Sequence, residues 1–157
     1  MRMELVKLDP RAVIPAHGTA GAAGFDVVAC IDSPITIRQG QPAVLIPTGL
    51  ALHIENPNVV ALFFPRSGLG HKQGLVLGNS VGVIDSDYQG QWFVSAWNRG
   101  QQIDIVINPG DRIAQAVFVP VIHPEFVVVE RFRDASERGE GGYGSTGLKS
   151  LTEALAA

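Results

Sequence analysis

The sequence predicts an all-β domain, a sandwich, jelly roll or closed barrel, and three observations carry that prediction. The β-branched residues Val (18) and Ile (12) together far outnumber Leu (12), and branched side chains fit a pleated surface better than a helix. Gly 18 and Pro 10 interrupt every stretch that would otherwise run for four or five helical turns, which excludes a helical bundle. Short apolar or alternating runs recur along the chain, each closed by turn residues. In order they are residues 4–8, 25–30, 35–37, 43–46, 50–54, 59–64, 75–77, 92–97, 103–107, 113–121 and 126–130. Asn108-Pro109-Gly110 is the plainest turn between two of them. Many short antiparallel strands must cover their edges, and two packed or closed sheets do so.

At 157 residues the chain has the length of one ordinary domain, and with 46% hydrophobic residues it can bury a sizeable core. The composition changes at residue 131. Between 131 and 150 only Phe132, Ala135, Tyr143 and Leu148 are hydrophobic, so the sequence divides into a body over 1–130 and an arm over 131–157. Within the arm, residues 138–147 read RGEGGYGSTG, with five glycines in ten positions. That is too flexible to form a strand by itself and too patterned for a plain linker, so something should order it. Leu148, Leu151 and Leu155 have near-helical spacing, but so short an isolated helix is marginal in water.

Lys+Arg 12 against Asp+Glu 15 gives a formal charge of −3, which argues against a duplex nucleic-acid partner and requires any anionic ligand to be held locally. The single cysteine, Cys30, allows no internal disulfide, and His17, His53, His71 and His123 show no zinc-ligand spacing with it. No secretory h-region and no run long enough for a membrane span is visible, so a soluble, cytoplasmic protein is expected.

Five polar, glycine-marked segments interrupt the strands. Ala23-Gly24-Phe25-Asp26 sets a carboxylate at the mouth of a Val-rich strand. PRSGLGHKQG, residues 65–74, delivers Arg66, Ser67 and Gly68 from a very apolar strand into a glycine-rich turn, a combination suited to phosphate oxygens. GNSVGVIDSDYQG, residues 78–90, predicts a hairpin whose backbone can read a base edge, with Asp85 beside it to polarise a water. GDRIAQ, residues 110–115, is a turn entering a strand, and Asp111 with Arg112 reads most simply as a structural surface ion pair. The arm motif offers Arg138, Ser145 and Thr146 as phosphate-type ligands and Tyr143 as a stacking ring. Taken singly, each segment also fits an ordinary solvated turn. No GxxxxGK[ST] is present, so a P-loop is excluded.

In this order, and over residues 23–147, the five segments resemble the five motifs of the trimeric deoxyuridine triphosphatases (dUTPases). The resemblance implies a jelly-roll-like distorted β-barrel with a flexible glycine-rich C-terminal arm, a homotrimer with shared active sites, and Mg²⁺-dependent hydrolysis of dUTP to dUMP and pyrophosphate. That activity would keep uracil out of DNA and supply dUMP for thymidylate synthesis. By similarity, Asp85 directs the water that attacks the α-phosphorus. Asn79 and the backbone of Gly82, Val83 and Ile84 read uracil, and Tyr88 stacks on the deoxyribose. Arg66, Ser67, Gly68 and Gln115 touch the phosphates. By the same similarity, Asp26 would lie near a Mg²⁺ carried chiefly by the triphosphate and reach it through water, and Asp111 and Arg112 would hold site and interface together. From the arm, Arg138, Gly142, Tyr143, Gly144, Ser145 and Thr146 close over the nucleotide. The family most often has Phe where Tyr143 stands, which leaves a flat ring in that place.

Three other readings account for less of the sequence. A deoxycytidine triphosphate deaminase needs a catalytic Glu, and only Asp85 and Asp87 are acidic in the third segment. A purely nucleotide-sensing regulator would not need both Asp85 and a complete arm. A structural jelly roll would leave all five polar segments unexplained.

Overall fold

The computed structural model describes residues 2–100 and 103–142. Among them ten strands form: β1 (Glu4–Lys7), β2 (Phe25–Val28), β3 (Ile35–Ile37), β4 (Val44–His53), β5 (Val59–Pro65), then after a short helix β6 (Leu75–Leu77), β7 (Gly82–Ile84), β8 (Gln91–Asn98), β9 (Ile105–Ile107) and β10 (Arg112–Pro120). The helix, α1, spans Ser67–Lys72. One antiparallel sheet has the order β1-β4-β8-β6, a second β2-β10-β5-β7, and β3 pairs with β9. Sequence neighbours are rarely ladder neighbours, so the chain crosses repeatedly between sheets, and the fold is jelly-roll-like, as expected.

Alternation decides which side chains meet between the sheets. Along β8, Trp92, Val94, Ala96 and Asn98 point inward and are buried, while Phe93 and Trp97 face out. Phe63 of β5 meets Trp92 edge-on, ring centroids 5.1 Å apart, at the centre of a core that also holds Ile37, Ile46, Ile54 and Ile113.

The structure departs from the sequence reading in four places. Residues 43–46 and 50–54, read as two strands, are one strand, β4. Pro47-Thr48-Gly49 is a bulge within it, marked by a register shift against β8 between Pro47 and Ala51. Bulges tolerate both Pro and positive-φ Gly, and the buried Thr48 hydroxyl donates to the Trp92 carbonyl at 2.9 Å to hold the bulge. The glycine-rich turn after Arg66 is wound into α1 rather than left open. The expected hairpin over 78–90 does not form: β6 pairs with β8 and β7 with β5, so the segment passes from one sheet to the other. Residues 126–130 form no strand; Phe126, Val127 and Val128 are 76–97% exposed, and a lone strand has no ladder to stabilise it. The described residues divide into two compact units, Met1–His123 and a second beginning at Pro124.

Candidate active site

The body places the expected site residues in two groups. The first gathers where β2, β10 and β5 meet. Asp26 and Gln115 face each other in register across β2 and β10, and Gln115 also faces Phe64 of β5. Arg66 follows β5 directly and is the extended residue (φ −76°, ψ 132°) preceding α1. Its Nε lies 2.8 Å from Asp26 Oδ1, and one terminal nitrogen donates to the Arg112 carbonyl at 3.3 Å. Arg112 reaches Asp26 Oδ2 at 2.9 Å. A single carboxylate thus aligns two guanidinium groups beside Ser67 and Gly68, where α1 starts without a side-chain cap. Gln115, expected to touch phosphate, donates from Nε2 to the Pro65 carbonyl at 3.0 Å and buttresses the end of β5.

The expected Asp111–Arg112 ion pair is not made. Successive residues project to opposite sides of an extended chain. Arg112 turns to Asp26, whereas Asp111 Oδ2 accepts the Asn108 N–H at 2.7 Å and stabilises the Asn108-Pro109-Gly110 turn.

The second group surrounds a cavity of about 200 Å³ lined by Val83, Ile84, Asp85, Tyr88, Gln91 and Phe93. β7 brings Val83 and Ile84 to its wall, and the Tyr88 N–H donates to the Asp85 carbonyl at 3.2 Å, turning the chain so that both side chains flank the space. Gly82 is buried against the core, where a Cβ would stand 3.1 Å from Phe63 Cβ, so it has only its backbone to offer the site. Asn79 lies close to Gly82 and is not part of the cavity lining. Phe93 and Gln91 also line the cavity, and neither belongs to a motif of the sequence. The signal for Phe93 was its outward slot in the alternation of β8, which places an aromatic ring at the surface.

Arg138 and Gly142 lie in the second unit, where Arg138 Nε donates to the Gly141 carbonyl at 2.7 Å. Tyr143, Gly144, Ser145 and Thr146 lie outside the described residues. Burial pushes the Cys30 thiol up from its ordinary value, which leaves it a poor nucleophile.

The two groups lie at opposite ends of β5. Phe63 faces Gly82 and Ala61 faces Ile84, so Asp85, one residue further, sits toward Val59, whereas Arg66 leaves the other end. From residue 60 to residue 66, at about 3.3 Å each, the backbone positions are about 20 Å apart, before the reach of either side chain is counted.

Comparison with known proteins identifies the family. The family model described as dUTPase matches residues 11–147. A deoxyuridine 5'-triphosphate nucleotidohydrolase of Burkholderia multivorans is 56% identical over 149 residues, covering 94% of this chain and 99% of the relative. One of Paraburkholderia phymatum is 54% identical with the same coverage. Among solved structures, the dUTPase of Staphylococcus bacteriophage 80alpha with dUPNHPP superposes with a TM-score of 0.79 at 27% identity, covering 94% of this chain and 99% of that one. A mutant dUTPase from phage phi11 of S. aureus, described with a structural Mg(II) ion, gives 0.73 at 25% identity over 85% of this chain and 100% of that one. On its sequence, its fold and the order of its motifs, the chain belongs to the dUTPase family.

Proposed function

We propose that this protein hydrolyses dUTP to dUMP and pyrophosphate, at sites each completed by more than one copy of the chain in a homotrimer. The observation that carries the reading is the split site. Arg66, Ser67 and Gly68 suit phosphates and Asp85 suits the attacking water, yet within one chain their backbone positions are about 20 Å apart along β5. On this reading a second copy of the chain supplies one half.

Asp85, in the wall of the cavity, orients a water toward the α-phosphorus and takes its proton. Val83 and Ile84 present backbone groups to uracil, with Asn79 behind them, and Tyr88 lies along the deoxyribose. Arg66 and the first backbone N–H groups of α1 meet the developing charge on the phosphates. From the arm, Arg138, Gly142, Tyr143, Gly144, Ser145 and Thr146 close over the nucleotide and exclude bulk water.

The donor set also fits a Mg²⁺ brought in by the triphosphate. Among the described residues no cluster of three or more His, Cys, Asp or Glu is available to cage a metal. Each Asp26 oxygen accepts one guanidinium N–H and keeps a lone pair for a metal-bound water. When bound, the ion would neutralise phosphate charge. A cytoplasmic, nucleotide-pool role, lowering dUTP and supplying dUMP, follows from the same reading.

A pyrophosphate-release assay over dUTP, dCTP, dTTP and UTP, with and without Mg²⁺, tests the proposal. dUTP should be turned over well and the others poorly, and Asp85→Asn should lower kcat by roughly 10² to 10⁴. Near-normal turnover by a folded Asp85→Asn protein would remove Asp85 from its role. Ammonia release from dCTP would favour a deaminase instead.

A further inference from the structure

The ring of Tyr88 is held by its own chain. Its hydroxyl donates to the Gln91 carbonyl at 3.0 Å, and the ring lies across Gly90. A Cβ built on Gly90 would stand 2.5 Å from the Tyr88 hydroxyl oxygen, 2.6 Å from Cζ and 2.9 Å from Cε2. Non-bonded heavy atoms are comfortable at about 3.5 to 4.0 Å, so no side chain at position 90 is compatible with this ring position. Gly90 is not among the positive-φ residues, so the position needs glycine for its missing side chain and not for its backbone freedom. The three nearest atoms that a methyl would meet all belong to the Tyr88 ring, the far end of a side chain that is 43% exposed. The ring would yield by swinging outward, and the sheet would stay. Gln91 is itself anchored, because its Oε1 accepts the Gly49 N–H at 3.0 Å and ties the seat to β4.

We propose that Gly90, together with the Gln91 carbonyl, is a specificity-determining positioning element: it seats the Tyr88 ring where a ribose 2′-hydroxyl would collide with it. The inference rests on the reading of dUTP as substrate with Tyr88 along the sugar. Gly90 touches no substrate, and its effect passes entirely through the ring.

The test is a mutant cycle of Gly90→Ala, Tyr88→Ala and the double variant, with kcat/KM measured for dUTP, UTP and dTTP on protein checked for native melting. Gly90→Ala should lower the preference for dUTP over UTP by about tenfold or more, the scale of discrimination available from one misplaced apolar contact. The preference for dUTP over dTTP should hold, because the base pocket is untouched. In the Tyr88→Ala background, Gly90→Ala should change the UTP preference no further. Should Gly90→Ala fail to fold, Tyr88→Phe keeps the question open to measurement: loss of the hydroxyl anchor should erode the same preference, and an unchanged preference would overturn the inference. Full discrimination by a folded Gly90→Ala protein, or an equal effect of it without the Tyr88 ring, would overturn the inference alone. A wild-type protein that releases no pyrophosphate from dUTP would overturn the underlying reading as well.

Discussion

Gly49 and Gly110 both adopt positive φ, +68° and +84°, yet a side chain would meet different fates at the two positions. At Gly110, third residue of the Asn108-Pro109-Gly110-Asp111 turn, a Cβ meets nothing within 4 Å, so alanine costs only the left-handed strain, about 1 to 2 kcal/mol. At Gly49, in the bulge of β4, a Cβ would stand 2.8 Å from Cys30 Sγ and 2.9 Å from Ala12 Cβ. Overpacking then adds about 1 to 3 kcal/mol. Urea unfolding should therefore rank Gly49→Ala well below Gly110→Ala, and equal losses would contradict the packing argument. Only one of these roles was readable beforehand. Asn-Pro-Gly announces a turn by its own chemistry, whereas Pro47-Thr48-Gly49 resembles a turn but acts as a bulge, because the partner strand that makes it one is about 40 residues away in sequence. The same division applies to the site. Asp85, Arg66 and Tyr88 stand in recognisable segments, while Phe93 and Gln91 reach the cavity only through the register of β8.

Asn98, at the end of β8, joins elements that the sheet ladders leave separate. Its buried side chain donates to the Ile37 carbonyl of β3 at 3.1 Å and to the Ile103 carbonyl at 2.9 Å, and its oxygen accepts the Gly100 N–H at 2.9 Å. Asn98→Leu would remove all three bonds, and because only the Ile37 bond is fully buried the loss should be about 1 to 3 kcal/mol in denaturant unfolding. A loss below about 1 kcal/mol would mean that water or rearranged backbone replaces the amide. The strands themselves were largely legible, since alternation and turn residues are local signals. What failed was pairing. The residues of 78–90 predict a hairpin because strand-like pieces flank the glycines, but its one strand, β7, pairs with β5, while β6 before it and β8 after it pair with each other in the other sheet. Residues 126–130 have strand composition and no partner strand among the described residues.

On the scale of the whole molecule, the separation of Asp85 from Arg66 along β5 predicts complementation between inactive variants. Asp85→Asn and Arg66→Ala chains, each nearly inactive alone, should regain activity when unfolded together and reassembled, with about a quarter of the sites intact by random mixing. Activity no higher than that of either variant would place both residues in one chain's site and refute sharing. No periodicity in a single sequence could show this, because it depends on where two ends of one strand lie in an assembly. Hydrolysis in ¹⁸O-labelled water reads the chemical step itself, attack of a water directed by Asp85 on the innermost phosphorus of dUTP. The account predicts ¹⁸O in dUMP, none in pyrophosphate, and loss of the reaction in Asp85→Asn. Label appearing in pyrophosphate would contradict it.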